Sequence, residues 1–214
     1  MTTTANIATL QGRENQLKQA VKSLYNQVDK INIWLNDYDK VPSWCINAKI
    51  RTRRTANVGD QGKLLFLERG YYFSCDDDLI YPPQYVERLK SKIDNNIITI
   101  HGKNFAPPTK SYYHGAIDKI RCDELLTHDT KVQIPGTGVM AFHTDTIQFT
   151  EDDFPEQNMA DIWVGIKAKN LNIPVICIAH PANWMTLQPT DTSIWSQQHR
   201  NDQVQTELIN TNFA

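Results

Sequence analysis

Strand and helix patterns alternate over residues 1–95, and this alternation limits the folds open to the chain. Short apolar runs at 6–10, 31–35 and 71–75 are typical of buried strands. Between the first two, apolar residues recur every three to four positions from Leu17 to Val28, which indicates an amphipathic helix. Strands that alternate with helices pair in parallel, so the sequence predicts a βαβ arrangement within an α/β fold.

The rest of the sequence has a less regular pattern, but most of its segments can still be assigned to helices, strands or turns. Helices are expected at 64–67, after Pro82-Pro83, and along the apolar stripe Met159–Ile166. Further strands are predicted at 97–100, 112–113, 139–142 and 175–179, with a turn at 135–138. The basic segment 49–54 is interpreted as a solvated loop, with a diphosphate lid or an anionic-membrane contact as the alternative. The tail from Asp191 is expected to be helical or mobile.

Composition excludes several classes of protein. The formal net charge is −2, whereas a dedicated nucleic-acid binder needs a basic face, so we expect no nucleic-acid partner. No apolar run approaches the roughly 20 residues of a membrane span, and the N-terminus lacks the pattern of a signal peptide. The four cysteines form no CxxC pair, and Cys75 and Cys177 are expected to be buried. A reducing, cytoplasmic location is the simplest interpretation.

Three consecutive aspartates, Asp76, Asp77 and Asp78, follow the apolar strand YYFSC directly. Adjacent carboxylates repel one another, so such a cluster is costly unless a cation neutralises it. Mg²⁺ or Mn²⁺ prefers oxygen ligands and could also hold a diphosphate. If the segment continues as a strand, Asp76 and Asp78 point one way and Asp77 the other, as in a D-x-D pair. The alternative is a solvated acidic turn or a helix N-cap.

A second polar pair, Asn36-Asp37, follows the strand at 31–35. The carboxyl ends of parallel strands meet at one edge of a sheet, where α/β proteins bind ligands. The sequence therefore predicts that Asn36-Asp37 and the aspartate triplet face one crevice.

The run GDQGKLLFLERGYYFSCDDDLIYPPQYVERL resembles the nucleotide-binding half of GT-A fold glycosyltransferases. The likeness also covers VDKINIWLND, IHG, GTG and MADIWVGIKAKNLNIPVICIAHPANWM, and it is nearest to capsule-polysaccharide N-acetylglucosaminyltransferases of the heparosan type. The resemblance implies a GT-A fold with a central mixed sheet flanked by helices, a UDP-sugar donor, and Mn²⁺ or Mg²⁺. It also implies one domain over 1–214, with a nucleotide-binding half at about 1–95, an acceptor half at about 96–190 and a tail at 191–214.

The resemblance assigns donor-site roles to residues near the strand ends. Thr9 and Arg13 would border the uracil and diphosphate, and Asn36 or Asp37 would bind the base. Asp60 and Lys63 would begin the nucleotide-contacting helix, with Lys63 offering a charge to phosphate. Within the triplet, Asp76 and Asp77 would face the nucleotide, and Asp76 and Asp78 the metal. For Arg13 and Lys63, the alternative is a solvated surface cation.

The acceptor side is less specific. Gly136, Thr137 and Gly138 would bring backbone amides to the donor sugar, although a plain hairpin turn fits equally well. Asp161, at the start of a late helix, would be the general base that accepts the proton of the acceptor hydroxyl. A helix-terminal acid is the alternative, and four neighbouring acids could serve instead: Glu151, Asp152, Asp153 and Glu156. His180 is a candidate metal or phosphate ligand, or else a capping histidine.

The expected activity is therefore transfer of a sugar from a UDP-sugar to a glycan or glycoprotein acceptor. One rival is a nucleotidyltransferase that forms nucleotide sugars, but Leu10-Gln11-Gly12-Arg13 is too poor in glycine for its GxGxR-type loop. The other rival is a non-catalytic sugar-binding module, which the intact Asp76 and Asp78 argue against. The sequence leaves open the sugar, the acceptor and the stereochemical outcome, and its short length suggests one domain of a larger protein.

Overall fold

The fold is built around a large mixed β-sheet, and the computed structural model describes residues 1–190 and 201–214. The strands, in chain order, are β1 (Thr3–Leu10), β2 (Lys30–Asn36), β3 (Ile50–Thr55), β4 (Tyr71–Asp76), β5 (Leu79–Ile80), β6 (Ile97–Thr99), β7 (Gly102–Asn104), β8 (Asp118–Ile120), β9 (Thr130–Lys131), β10 (Ile134–Pro135), β11 (Val139–His143), β12 (Val175–Cys177) and β13 (Thr186–Leu187). The helices are α1 (Glu14–Leu24), α2 (Tyr85–Lys90), α3 (Ala160–Asn170) and α4 (Gln203–Phe213). Short 3-10 helices lie at Ser43–Cys45, Gly59–Leu64 and Glu151–Asp153.

Eight strands form the central sheet in the order β3-β2-β1-β4-β11-β6-β12-β9. The first four are mutually parallel, as the alternation of strand and helix predicts. β11 is antiparallel to both β4 and β6, and β12 is parallel to β6. The predicted mixed α/β sheet is thus confirmed, and strands from both halves of the chain belong to it.

The two faces of this sheet carry separate apolar cores. Side chains of a strand alternate between faces, and within β4 Phe73 and Cys75 join one cluster while Tyr72 joins the other. α1 and α2 cover the first face, and α3 covers the second. Helices therefore flank the sheet on both sides, which leaves its strand ends as the open edge.

Three predicted elements differ in the structure. Residues 50–55 form the edge strand β3 rather than a loop, because an edge strand pairs through its backbone to β2 and needs no apolar face. The helix expected at 64–67 is instead the 3-10 helix Gly59–Leu64. Tyr112-Tyr113 lies in a turn, and Tyr112 is buried there by packing rather than by strand pairing.

The C-terminal tail is helical where the structure describes it. α4 packs on α3 through Ile209, which joins Ile162 and Ile166 in a third apolar cluster. The part of the predicted tail at 191–200 lies outside the described residues. Cys75 and Cys177 are buried, as the sequence predicts.

Candidate functional site

The open edge of the sheet gathers the polar residues that follow its strands. β1, β2 and β4 are parallel, so their carboxyl ends coincide; the register sets Leu10 beside Asn36 and Ala8 beside Asp76. β11 runs the other way, which brings the preceding turn at 136–138 to this edge. A cavity of about 740 Å³ opens there, a volume within the range of ligand-binding sites.

Most of the predicted site residues line this cavity. They come from both halves of the chain: Thr9, Arg13, Asn36, Asp60, Lys63, Asp76, Asp77, Asp78, Gly136, Thr137, Gly138 and Asp161. The structure thus brings together side chains that are up to 152 positions apart in sequence, counted from Thr9 to Asp161.

Two cations hold the aspartate triplet. The strand ends at Asp76, so Asp77 and Asp78 lie in a turn instead of alternating as they would in a strand. Both consequently approach Arg13, whose Nη2 is 3.1 Å from Asp77 Oδ1 and 2.8 Å from Asp78 Oδ2. Asp76 faces Lys63, with Nζ 2.5 Å from Oδ1. Arg13 therefore pairs with Asp77 and Asp78, and Lys63 pairs with Asp76.

Burial makes two of these aspartates, Asp77 and Asp78, easier to protonate than an exposed carboxyl group. It raises the pKa of Asp77 to about 6 despite the opposing charge of Arg13. Burial and the neighbouring Asp76 also raise the pKa of Asp78. Carboxylates in this state gain from any added positive charge, so a divalent cation would be favoured here at neutral pH.

Lys63 and Asp60 form the adjoining wall. Burial lowers the pKa of Lys63, but the Asp76 and Asp60 carboxylates outweigh it and the net shift is upward. Asp60 Oδ2 accepts a hydrogen bond of 3.3 Å from the backbone N–H of Ala160, at the start of α3. Burial raises the pKa of Asp60 to about 6. Asp60 therefore links the wall that carries Lys63 and the aspartate triplet to the helix that carries Asp161.

Gly138 is required by the position of Asp76. A Cβ atom at Gly138 would overlap the Asp76 carboxylate, so any side chain would displace that group. The backbone of this residue is also held, because its carbonyl accepts a hydrogen bond of 2.7 Å from the Tyr81 hydroxyl. The turn at 136–138 thus sets the position of the triplet from the side of β11.

Asn36 and Asp37 have separate surroundings. The Asn36 side chain is buried and holds the loop before the 3-10 helix, donating to the Gly59 carbonyl (3.1 Å) and accepting from the Val58 N–H (3.0 Å). Asp37 is exposed, has a positive φ of 56°, and accepts from the Asn57 N–H. It does not line the cavity, so the prediction that both residues face one crevice is corrected for Asp37.

His180 is likewise not brought to the aspartates. Its ring nitrogens lie 2.7 Å and 3.2 Å from the carbonyl oxygens of Ile178 and Arg121, and its backbone pairs with Leu126. Both nitrogens face backbone carbonyl oxygens, and the residue does not line the cavity. The interpretation of His180 as a metal ligand is therefore replaced by a structural role.

The carboxylates of Asp76 and Asp78 are compatible with a metal that has only two protein ligands. Within residues 1–190 and 201–214, no three His, Cys, Asp or Glu side chains surround a common position that would hold a metal ion. Mg²⁺ is usually bound by one or two carboxylates together with waters and substrate phosphates rather than by a complete protein cage. Asp76 and Asp78 supply two such carboxylates beside open space in the cavity.

The opposite wall contains residues that the sequence did not identify as functional. The Tyr112 hydroxyl donates a hydrogen bond to Asp161 Oδ2, and Lys103 Nζ lies 3.8 Å from the centre of the Tyr112 ring. Burial, with the nearby Lys103 and Lys119 charges, lowers the pKa of His101 to about 4, so it is neutral at pH 7. Of these additional residues, His101 lies in the IHG segment that the resemblance covers.

No protein-family model matches the sequence, and no curated protein matches it either. The resemblance to GT-A glycosyltransferases therefore stays a prediction, and the geometry of the cavity carries the functional argument. Among the described residues, no helix combines the length and apolarity needed to cross a bilayer.

Proposed function

We propose that this chain is a metal-dependent glycosyltransferase that moves a sugar from a UDP-sugar to a glycan or glycoprotein acceptor. The observation that carries the proposal is the composition of one cavity: a carboxylate triplet with two cations on one wall, and Asp161 on the other. A GT-A arrangement of the α/β fold, with a nucleotide-binding half and an acceptor half, is part of the same proposal.

In this scheme the donor lies along the ends of β1, β2 and β4. Thr9 borders the base, and the loop held by Asn36 closes that end of the cavity. Arg13 and Lys63 are cations within reach of a diphosphate, because each already holds carboxylates at the same edge. Mg²⁺ or Mn²⁺ on Asp76 and Asp78 would offset the negative charge of the leaving diphosphate.

Asp161 is the proposed general base. Its carboxylate lies in the first turn of α3, lines the cavity and is only partly buried, so an acceptor hydroxyl can approach it. Accepting the hydroxyl proton as the new bond forms is the usual requirement of transfer with inversion. The open space between the two walls would hold the donor sugar beside the turn at 136–138.

The test of this function is the metal dependence of UDP binding. Titration of UDP by calorimetry, with Mn²⁺ and with excess chelator, should show binding that is strong only with metal. Asp78→Ala should remove that difference and leave the fold intact, since the side chain lies in the turn after β4 and belongs to no apolar core. Asp152→Asn, an exposed acid outside the cavity, is the matched control. Equal UDP affinity in metal and chelator would refute the proposed metal role.

A further inference from the structure

We infer that Tyr112 is a positioning residue, which orients the Asp161 carboxylate toward the cavity and is itself anchored by the C-terminal helix α4. The inference rests on the proposed function, because it takes Asp161 as the base. Its basis is a set of contacts that reach from the last helix of the chain to the cavity wall.

The Asp161 carboxylate is held at both oxygens. Oδ2 accepts the hydrogen bond from the Tyr112 hydroxyl, and Oδ1 accepts from the Ile162 N–H at 3.0 Å. Two bonds on a short side chain fix its rotamer, which is what a base needs if it is to meet a hydroxyl in one geometry. A carboxylate oxygen has two lone pairs, so each retains one for the acceptor.

Tyr112 is suited to donate rather than to titrate. The residue is 2% exposed, and burial, with the adjacent Asp161 charge, raises its pKa well above its ordinary value. The hydroxyl therefore keeps its proton at neutral pH. The Lys103 ammonium above the ring and the stacked Phe105 ring, 5.6 Å away between centroids, restrict the movement of the side chain.

α4 and the residue before it hold the loop that carries Tyr112. This loop joins β7 to β8 and has no regular secondary structure between 105 and 117. Its ties to the C-terminal segment are these hydrogen bonds: Thr109 N–H to Asn210 Oδ1 (2.7 Å), Asn210 Nδ2 to the Thr109 carbonyl (2.9 Å), Tyr112 N–H to Thr206 Oγ1 (2.9 Å), and Tyr113 N–H to Asp202 Oδ2 (2.9 Å). Ile209, Tyr112 and Phe105 share an apolar cluster. The last helix thus determines where the Tyr112 hydroxyl lies.

The experiment is a double-mutant cycle on turnover, with Tyr112→Phe, Asp161→Asn and the double variant. Transfer from UDP-sugars to simple alkyl glycosides is measured for kcat, and UDP binding is measured separately by calorimetry. Tyr112→Phe should lower kcat about tenfold in the wild-type background, the equivalent of one hydrogen bond to a charged group, and leave the UDP Kd unchanged. In the Asp161→Asn background it should have no further effect, because its action passes through the carboxylate.

Tyr85→Phe is the matched control. Tyr85 is fully buried in the apolar core on the α1 and α2 side of the sheet, so losing its hydroxyl should leave kcat unchanged. Asn210→Ala tests whether α4 anchors the loop that carries Tyr112, and it should lower kcat with no change in the UDP Kd. A wild-type kcat for this variant would overturn the anchoring role of α4.

Equal losses from Tyr112→Phe in both backgrounds, or no loss in the wild type, would overturn the positioning role alone. If the wild-type protein showed neither metal-dependent UDP binding nor transfer, the proposed function would fail and the inference with it.

Discussion

Replacing Asp60 with asparagine should stabilise the fold at neutral pH and not at acidic pH. Asp60 Oδ1 is sealed from solvent and has no hydrogen-bond partner among the described residues, while Oδ2 accepts only the Ala160 N–H. Burial therefore penalises the ionised form and raises the pKa of Asp60 from 3.8 to about 6. Asparagine keeps the shape of the side chain and removes the charge.

The expected magnitude follows from the size of that shift. Roughly two pH units correspond to about 3 kcal/mol of folding free energy. Because the pKa is raised in the folded state, the contribution of Asp60 to stability is fully present below about pH 4. It is lost as the pH rises through about 6. The neutral asparagine of the variant has no such loss, so Asp60→Asn should gain about 2–3 kcal/mol over the wild type between pH 4 and pH 7.

Urea unfolding of both proteins at pH 4, 5, 6 and 7 measures this difference. Asp77 and His101 also titrate in this range, but they are present in both proteins and cancel in the comparison. Asp152→Asn, which also replaces an acid with its amide but at an exposed position, is the control variant. A difference for Asp60→Asn that stayed flat or shrank toward pH 7 would refute the reasoning. If the variant also bound UDP-sugars less well, the unfavourable charge would have a functional explanation.

Three further predictions concern the site and its surroundings. UDP-sugars should raise the melting temperature more than GDP- or ADP-sugars in the presence of Mn²⁺; similar shifts for all three would remove the uridine assignment, and a larger GDP shift would reverse it. Asp161→Asn should lower kcat by roughly 10²–10⁴-fold with donor binding nearly intact. Wild-type turnover in this variant would instead favour Asp161 as a helix-terminal acid that contributes about 0.3–1 kcal/mol of stability. The anomeric configuration of the product would show whether the reaction requires a base. Lys119→Glu should raise the free energy of unfolding by about 0.2–1 kcal/mol, because Lys119 lies directly opposite Lys103 in the β7–β8 pair. Urea unfolding measures this gain, and high salt should abolish it.

The sequence predicted the strand ends well because they depend on local pattern. The apolar runs before Asn36 and Asp76 marked buried strands, and parallel pairing then implied a common edge. β3 was missed since its pairing is with the backbone of β2, and no side-chain pattern records that contact.

The rest of the site depends on packing between distant residues, which the sequence pattern does not show. Tyr112 reaches Asp161 across 49 positions, and its burial depends on α4, which lies still farther along the chain. His180 ends a buried strand, which made it look like a ligand, but only the tertiary structure shows that the carbonyls of Ile178 and Arg121 surround its ring. Asp37 follows Asn36 directly, but Asp37 itself has a left-handed backbone conformation, and its side chain does not face the cavity.

The arginines of β3 affect how the protein behaves at high concentration. A strand at the border of a sheet offers unpaired backbone groups to which a strand of another molecule can add, the first step of many forms of aggregation. β3 exposes Arg51, Arg53 and Arg54 along its six residues. Two molecules meeting border to border would bring these like charges together and expel their water. The same residues that make the segment look like a loop therefore disfavour the pairing of β3 with a strand of a second molecule.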